Sequence, residues 1–204
     1  MYYPPRSRLD LDASLERALA AAPRDPTLSD PWLLVYGSML KDPPFTARER
    51  RRATLAHWER AFCLADPKMR GTERHPGLSL GLVRGGGCLA LAYRLSAVSA
   101  WEDLRRVWQR EMLLPLYVPC WMEAQTAQGP LEVLTFCTDT DSPLYERSLG
   151  EEELIERLAT CAGENGTNAQ YLEDTVQQLA EADAPDEHLA RLAERVRARK
   201  ASTS

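Results

Sequence analysis

The stretch "LLVYGSML", residues 33–40, begins as an apolar strand and breaks on a Gly-Ser pair before Met39, Leu40 and the polar run "KDPP". Glycine weakens a strand interior, so a bare backbone at Gly37 marks a place where the chain turns or where something approaches it closely. Around it lie short strand-like runs bounded by turn residues: "WLLVY" (32–36), "AFCLA" (61–65), "LSLGLV" (78–83), "CLALAYRL" (88–95) and "LEVLTFCT" (131–138). Gly85, Gly86 and Gly87, between two of these runs, read as a hairpin turn. They lack the Lys and Ser/Thr of a phosphate loop, and no helix follows them. Helical patterns occupy 12–22, with Asp12 as a candidate cap, then Ser99 to Leu114, 151–162, 168–182 and 186–199. Strands early and helices late, with one helix inserted, predict an α+β domain whose short strands form a small curled or closed sheet.

The composition narrows the function. With 204 residues, 44% hydrophobic and 27% charged, the chain is long enough for one domain with an apolar core and no disulfide or metal staple. A net charge of −5 argues against a binder of nucleic-acid backbone, and the one basic run, "RERRR" (48–52), reads as a solvated helix face. The five cysteines form no CxxC pair and the three histidines are scattered, which argues against a zinc site and fits reduced thiols in a cytoplasm. No stretch approaches the length of a membrane span, and "MYYPPRSRLDLD" has no signal-peptide core. The sequon Asn165-Gly166-Thr167 is accordingly not expected to carry a glycan. The chain divides into an N-terminal extension with a short helix (1–30), a main domain (31–198) and a frayed tail (199–204).

The candidate chemistry starts on "SAWEDLRRVWQREM", residues 99–112. Ser99 with Glu102 three residues on is a capping-box signature. At about 100° per residue, Trp101, Leu104, Val107, Trp108 and Met112 share one apolar arc, and Glu111 falls inside it. Asp103, Arg105, Arg106, Gln109 and Arg110 take the other side. A carboxylate on a core-facing stripe must be hydrogen-bonded, paired or lining a cavity. Two readings stand: a glutamate at a helix end pairing with an arginine or solvent, or a desolvated carboxyl with a raised pKa, facing a pocket and exchanging a proton with a substrate.

Together these features resemble the γ-glutamylcyclotransferases, and the chain as a whole resembles the glutathione-specific ChaC type. "VYGSML" is similar to the family's YGSL loop. "RRATLAHWERAFCLAD", "RGTERHPGLSLGLVRGGGCLALAYRL", "REMLLPLY" and "GTNAQYL" follow in family order, so that the likeness covers about residues 31–198. The resemblance implies a small mixed β-barrel with flanking helices. It also implies an intramolecular aminolysis that releases 5-oxoproline and, from glutathione, Cys-Gly, without metal or organic cofactor. Glu111 matches the catalytic glutamate, Tyr36, Gly37, Ser38 and Met39 match the substrate loop, and Tyr117 matches a pocket tyrosine that also reads as a core or rim residue. Arg70, Gly71 and Thr72 match a further stretch, as a contact to the substrate's C-terminal end or as a plain strand and turn. Tyr171 reads as packing or as a residue at the barrel mouth, and Asn168 as a helix cap. Val35, the "KDPP" run and Pro115-Leu116 depart from the family pattern. Beside glutathione the same site suits other γ-glutamyl amines or amino acids, and a catalytically silent barrel binding an anionic small molecule is the remaining alternative. The implied partner is a small molecule, with neither nucleic acid nor membrane.

Overall fold

The computed structural model describes residues 4–25 and 29–202. The described residues fold as two compact units, one of residues 4–25 and 29–59 with Leu82–Asp139, the other of Arg60–Gly81 with residues 140–202. Two strands, much longer than the apolar runs suggested, have residues in both units.

The first unit holds helix α1 (Arg8–Ala20), strand β1 (Trp32–Val35) and most of strands β2 (Ala47–Asp66) and β3 (Gly77–Leu95). Helix α2 (Ala100–Glu111) and the hairpin of β4 (Tyr117–Thr126) and β5 (Gly129–Thr138) complete it. The strands close into a barrel in the order β1-β3-β2-β4-β5. β1 runs antiparallel to β3, with Trp32 opposite Arg94 and Val35 opposite Leu91, and parallel to β5 at Leu33 and Leu134. The barrel is therefore mixed, as expected. Leu33, Leu34, Leu82, Ala90, Leu91 and Val133 are fully buried.

The two helices cover aromatic side chains of this unit. Trp108 meets Phe136 edge-on at 5.0 Å and donates its indole N–H to Ser14 Oγ at 3.3 Å, while Trp121 Nε1 donates to Ala18 O at 2.8 Å. α1 starts earlier than expected. Ser7, not Asp12, is its cap, in a capping box with Asp10. Asp12 accepts instead from Arg105, Nε to Oδ1 and Nη2 to Oδ2, each at 2.9 Å.

Several local expectations differ from the structure. Gly85–Gly87 form no hairpin: β3 runs straight through them, and a Cβ on Gly85 would lie 2.0 Å from Glu59 Cδ. The glycines leave room for Glu59, whose carboxylate accepts the Gly86 N–H at 2.9 Å. "RERRR" lies in β2 rather than on a helix, with alternate residues turned out. Ser99 makes no capping box: its hydroxyl donates to Asp103 at 2.8 Å, and Asp103, expected on the solvent side of α2, is buried with Arg106 paired to it. α2 also ends at Glu111, three residues before Leu114.

The second unit packs α3 (Glu151–Thr160), the two-residue strands β6 (Ala162–Gly163) and β7 (Gly166–Thr167), α4 (Asn168–Glu181) and α5 (Glu187–Ala201) around Leu158, Leu172, Leu179 and Leu189. α5 runs to Ala201, so Lys200 and Ala201 of the expected tail are helical. Arg60, 2% exposed, is neutralised by Asp186 at 3.1 Å, and the other oxygen of Asp186 caps α5 by accepting from Leu189 N. Thr167, not Asn168, caps α4. Asn168 is fully buried and its amide closes two bonds on one residue, accepting from Leu78 N at 2.5 Å and donating to Leu78 O at 2.8 Å.

Candidate active site

β1 ends at Val35, and the chain turns through Tyr36 and Gly37 into a single 3₁₀ turn, Ser38–Leu40. Gly37 has φ −146°, so the turn does not depend on left-handed backbone; what glycine leaves there is a backbone without a side chain. The turn is closed by Leu40 N–H donating to Gly37 O at 2.9 Å. Among the described residues, the N–H groups of Gly37, Ser38 and Met39 have no hydrogen-bond acceptor. Three neighbouring unpaired donors form a local positive potential suited to a carbonyl or carboxylate oxygen.

The side chains of the loop anchor it. Tyr36 is buried and its hydroxyl donates to Phe136 O at 2.8 Å, and Met39 is buried in the core. Ser38 is exposed, and its hydroxyl accepts from Arg110 Nη2 at 3.1 Å. The polar side of α2 therefore has a use that its pattern does not suggest: Arg110 also donates to Asp42 O at 2.9 Å, and Arg106 to Pro44 O at 2.8 Å. Two arginines four apart share a helix face. Together they tie the "KDPP" segment and the loop to α2, an i, i+4 signal that is present in "RRVWQR" and gains meaning only with carbonyls opposite it.

Glu111 is the last residue of α2, on the stripe with Leu104, Val107 and Trp108, each at most 1% exposed. Its side chain is 16% exposed, and its Oε1 lies 3.3 Å from Arg110 Nε. The two readings of this residue therefore coexist: it sits at a helix end beside an arginine, and it is desolvated. Burial pushes its carboxyl up to about 6, with the Arg110 charge pulling the other way. One guanidinium touches both Glu111 and Ser38, which brings the carboxyl and the loop of unpaired N–H groups into one site. Tyr117, at the start of β4 and six residues after Glu111, is buried opposite Thr138.

Arg70, Gly71, Thr72, Asn168 and Tyr171 all belong to the second unit. Arg70 stacks its guanidinium 4.1 Å above the Tyr171 ring and donates to Asn165 O at 2.7 Å, while the Tyr171 ring also meets Phe62 edge-on at 5.4 Å. Gly71 packs closely against the backbone of Gly77, and Thr72 Oγ1 accepts from His75 N at 3.1 Å. These interactions are what a strand-and-turn reading of the Arg70–Thr72 stretch and a packing reading of Tyr171 require.

Comparison with known proteins matches this architecture to one family. The model of the ChaC-like protein family matches residues 31–199. The glutathione-specific gamma-glutamylcyclotransferase of Escherichia coli (strain K12) is 34% identical over 178 residues, spanning 87% of this chain and 76% of that protein. The mouse glutathione-specific gamma-glutamylcyclotransferase 1 is 27% identical over 172 residues, 81% of this chain and 77% of that one. In fold, the crystal structure of a gamma-glutamyl cyclotransferase specific to glutathione from yeast superposes with a TM-score of 0.73 at 19% identity, over 84% of this chain and all of that one.

Proposed function

The chain belongs to the ChaC-like family, and from that premise we propose that it is a γ-glutamylcyclotransferase acting on glutathione, with Glu111 as its acid–base residue. The relative from Escherichia coli, a glutathione-specific enzyme, supports the choice of substrate. The single observation that carries the residue assignment is the buried Glu111 carboxyl, raised to about 6 and joined through Arg110 to a loop of unpaired N–H groups.

The reaction is an attack of the substrate's own α-amine on its γ-carbonyl. The ring C–N bond forms, the γ-amide C–N bond breaks, and 5-oxoproline and Cys-Gly separate. The attacking nitrogen must lose a proton and the departing nitrogen must gain one, so one group that first accepts and then donates serves both needs. Glu111 near pKa 6 is ionised at neutral pH yet basic enough to take the proton. As the ring closes, the γ-carbonyl oxygen gains negative charge, and the N–H groups of Gly37, Ser38 and Met39 are the donors that would meet it or the α-carboxylate. Holding the glutamyl chain bent against Tyr117 supplies the orientation that a flexible substrate lacks in water. The reading includes a cytoplasmic site of action, where the five free thiols stay reduced. Among the described residues no helix is long and apolar enough to cross a membrane.

Incubating the protein with glutathione and measuring 5-oxoproline and Cys-Gly tests the proposal, with Glu111→Gln alongside. Product from the unaltered protein and a loss of kcat by at least about 10²-fold in the variant are expected. Turnover confined to other γ-glutamyl amines would move the substrate assignment, and binding without product from any of them would leave a silent barrel. Full activity in Glu111→Gln would remove that residue from its role.

A further inference from the structure

The N-terminal segment and the turn after α2 border an open cavity of about 380 Å³, within the size range of small-molecule sites. Arg6, Asp10, Ser14 and Arg17 line one side, Met112 and Tyr117 the other. It shares one residue with the proposed substrate contacts, Tyr117, and another of its lining residues, Met112, follows Glu111 in the chain. The segment is fixed there: Arg6 N–H donates to Leu113 O at 2.9 Å.

The charges in this cavity are unbalanced. Asp10 already accepts from Ser7 Oγ at 2.6 Å and Ser7 N at 3.3 Å as part of the capping box, and these bonds first, then Arg6 and Arg17, hold its carboxyl below the usual range. Among the described residues, neither the Arg6 nor the Arg17 guanidinium has a carboxylate at ion-pair distance. Two guanidiniums against one committed carboxylate leave a surplus of positive charge, in a fork geometry that matches a carboxylate. All four lining residues on this side precede residue 31, where the family match begins.

We propose that this cavity is a subsite for the free carboxylate at the end of the departing peptide, bound by Arg6 and Arg17. The proposal rests on the γ-glutamyl reading and deepens it. A Cys-Gly unit spans at most about 7 Å when extended, so a subsite for its carboxylate has to lie within that reach of the substrate contacts, and this cavity is lined by one of them, Tyr117. The cavity then makes the protein selective for γ-glutamyl peptides with a free terminal carboxylate over amides and γ-glutamyl amines.

The test compares kcat and KM for glutathione and for its glycinamide form, in the unaltered protein and in the double variant Arg6→Ala/Arg17→Ala. The unaltered protein should favour the acid by roughly tenfold or more in kcat/KM, as expected for a lost charged hydrogen bond. In the double variant the two substrates should converge, through a raised KM for the acid with kcat unchanged, and Arg17→Lys should retain part of the preference. Equal use of both substrates by the unaltered protein, or a preference that survives in the double variant, would overturn the subsite. Should the protein turn over no γ-glutamyl peptide, the activity proposal fails by itself, and calorimetry with Cys-Gly and its amide still decides this one. Binding of the acid alone, abolished in the double variant, supports the subsite, and no discrimination between them rejects it.

Discussion

Glu111 joins folding to chemistry, because the burial that raises its carboxyl from 4.5 to about 6 is unfavourable to the folded chain at neutral pH. Between those two pH values the folded protein keeps a proton that the unfolded chain gives up, so stability falls as pH rises through the window and the full cost is felt above pH 6. The difference corresponds to about 2 kcal/mol. Glu111→Gln keeps the shape without the charge, so urea unfolding should find it more stable than the unaltered protein by up to about 2 kcal/mol at about pH 7.5, with the gain gone by about pH 4. The same carboxyl should give kcat/KM an acid limb near pH 6, activity rising as Glu111 ionises. Equal stability of the two proteins at every pH would mean a solvated carboxylate, and with it no reason for a base tuned to neutral pH.

At the scale of elements, glycines separate positions held by backbone from positions held by a movable side chain. A Cβ on Gly71 would lie 1.9 Å from Gly77 N, and one on Gly77 would lie 2.1 Å from Arg70 O, so neither neighbour can yield without moving the chain. A Cβ on Gly85 meets the Glu59 carboxyl, which can swing away. Thermal or denaturant unfolding should find Gly71→Ala and Gly77→Ala destabilised by about 3 kcal/mol or more, and Gly85→Ala by no more than about 1 kcal/mol. Losses at Gly71 and Gly77 as small as that at Gly85 would show that the 71–77 turn relaxes. The same glycines explain what is legible in the sequence. The amphipathic stripes of α2, α4 and α5 show through their period, and "WLLV" and "LEVLTFCT" through unbroken apolar runs. Gly85–Gly87 mislead because a glycine that yields space to a side chain distant in sequence has the same local signature as a glycine in a turn. β4 carries no plain strand signature because Pro119 interrupts it, yet Pro119 takes its place opposite Phe136 in the ladder. Ser7 and Thr167 as caps, like the Asn168 amide on Leu78, depend on where the backbone comes to rest, which residue spacing alone does not encode.

For the molecule as a whole, residues 4–25 and 29–30 precede the family match yet are built into the barrel unit. α1 buries Leu11 and Leu15 almost completely, receives the indole N–H of Trp108 on Ser14 and of Trp121 on Ala18, and holds Arg105 through Asp12. Two fully buried leucines contribute about 1.5–3 kcal/mol each, and the stranded indole donors add about 1 kcal/mol each when their acceptors go, so removing α1 costs roughly 5 kcal/mol or more. That is comparable with the whole net stability of an ordinary domain, about 5–15 kcal/mol. Deleting residues 1–22 should therefore leave a chain that melts far below the full-length protein or fails to fold, read by the near-ultraviolet signal of Trp108 and Trp121. The double variant Arg6→Ala/Arg17→Ala removes two side chains that are not part of the buried core and should melt within a few degrees of the unaltered protein. If the truncated chain instead keeps its melting point and loses only the preference for a free carboxylate, α1 is a substrate arm laid on a barrel that stands without it. If both variants lose stability together, the arginines belong to the packing rather than to the ligand.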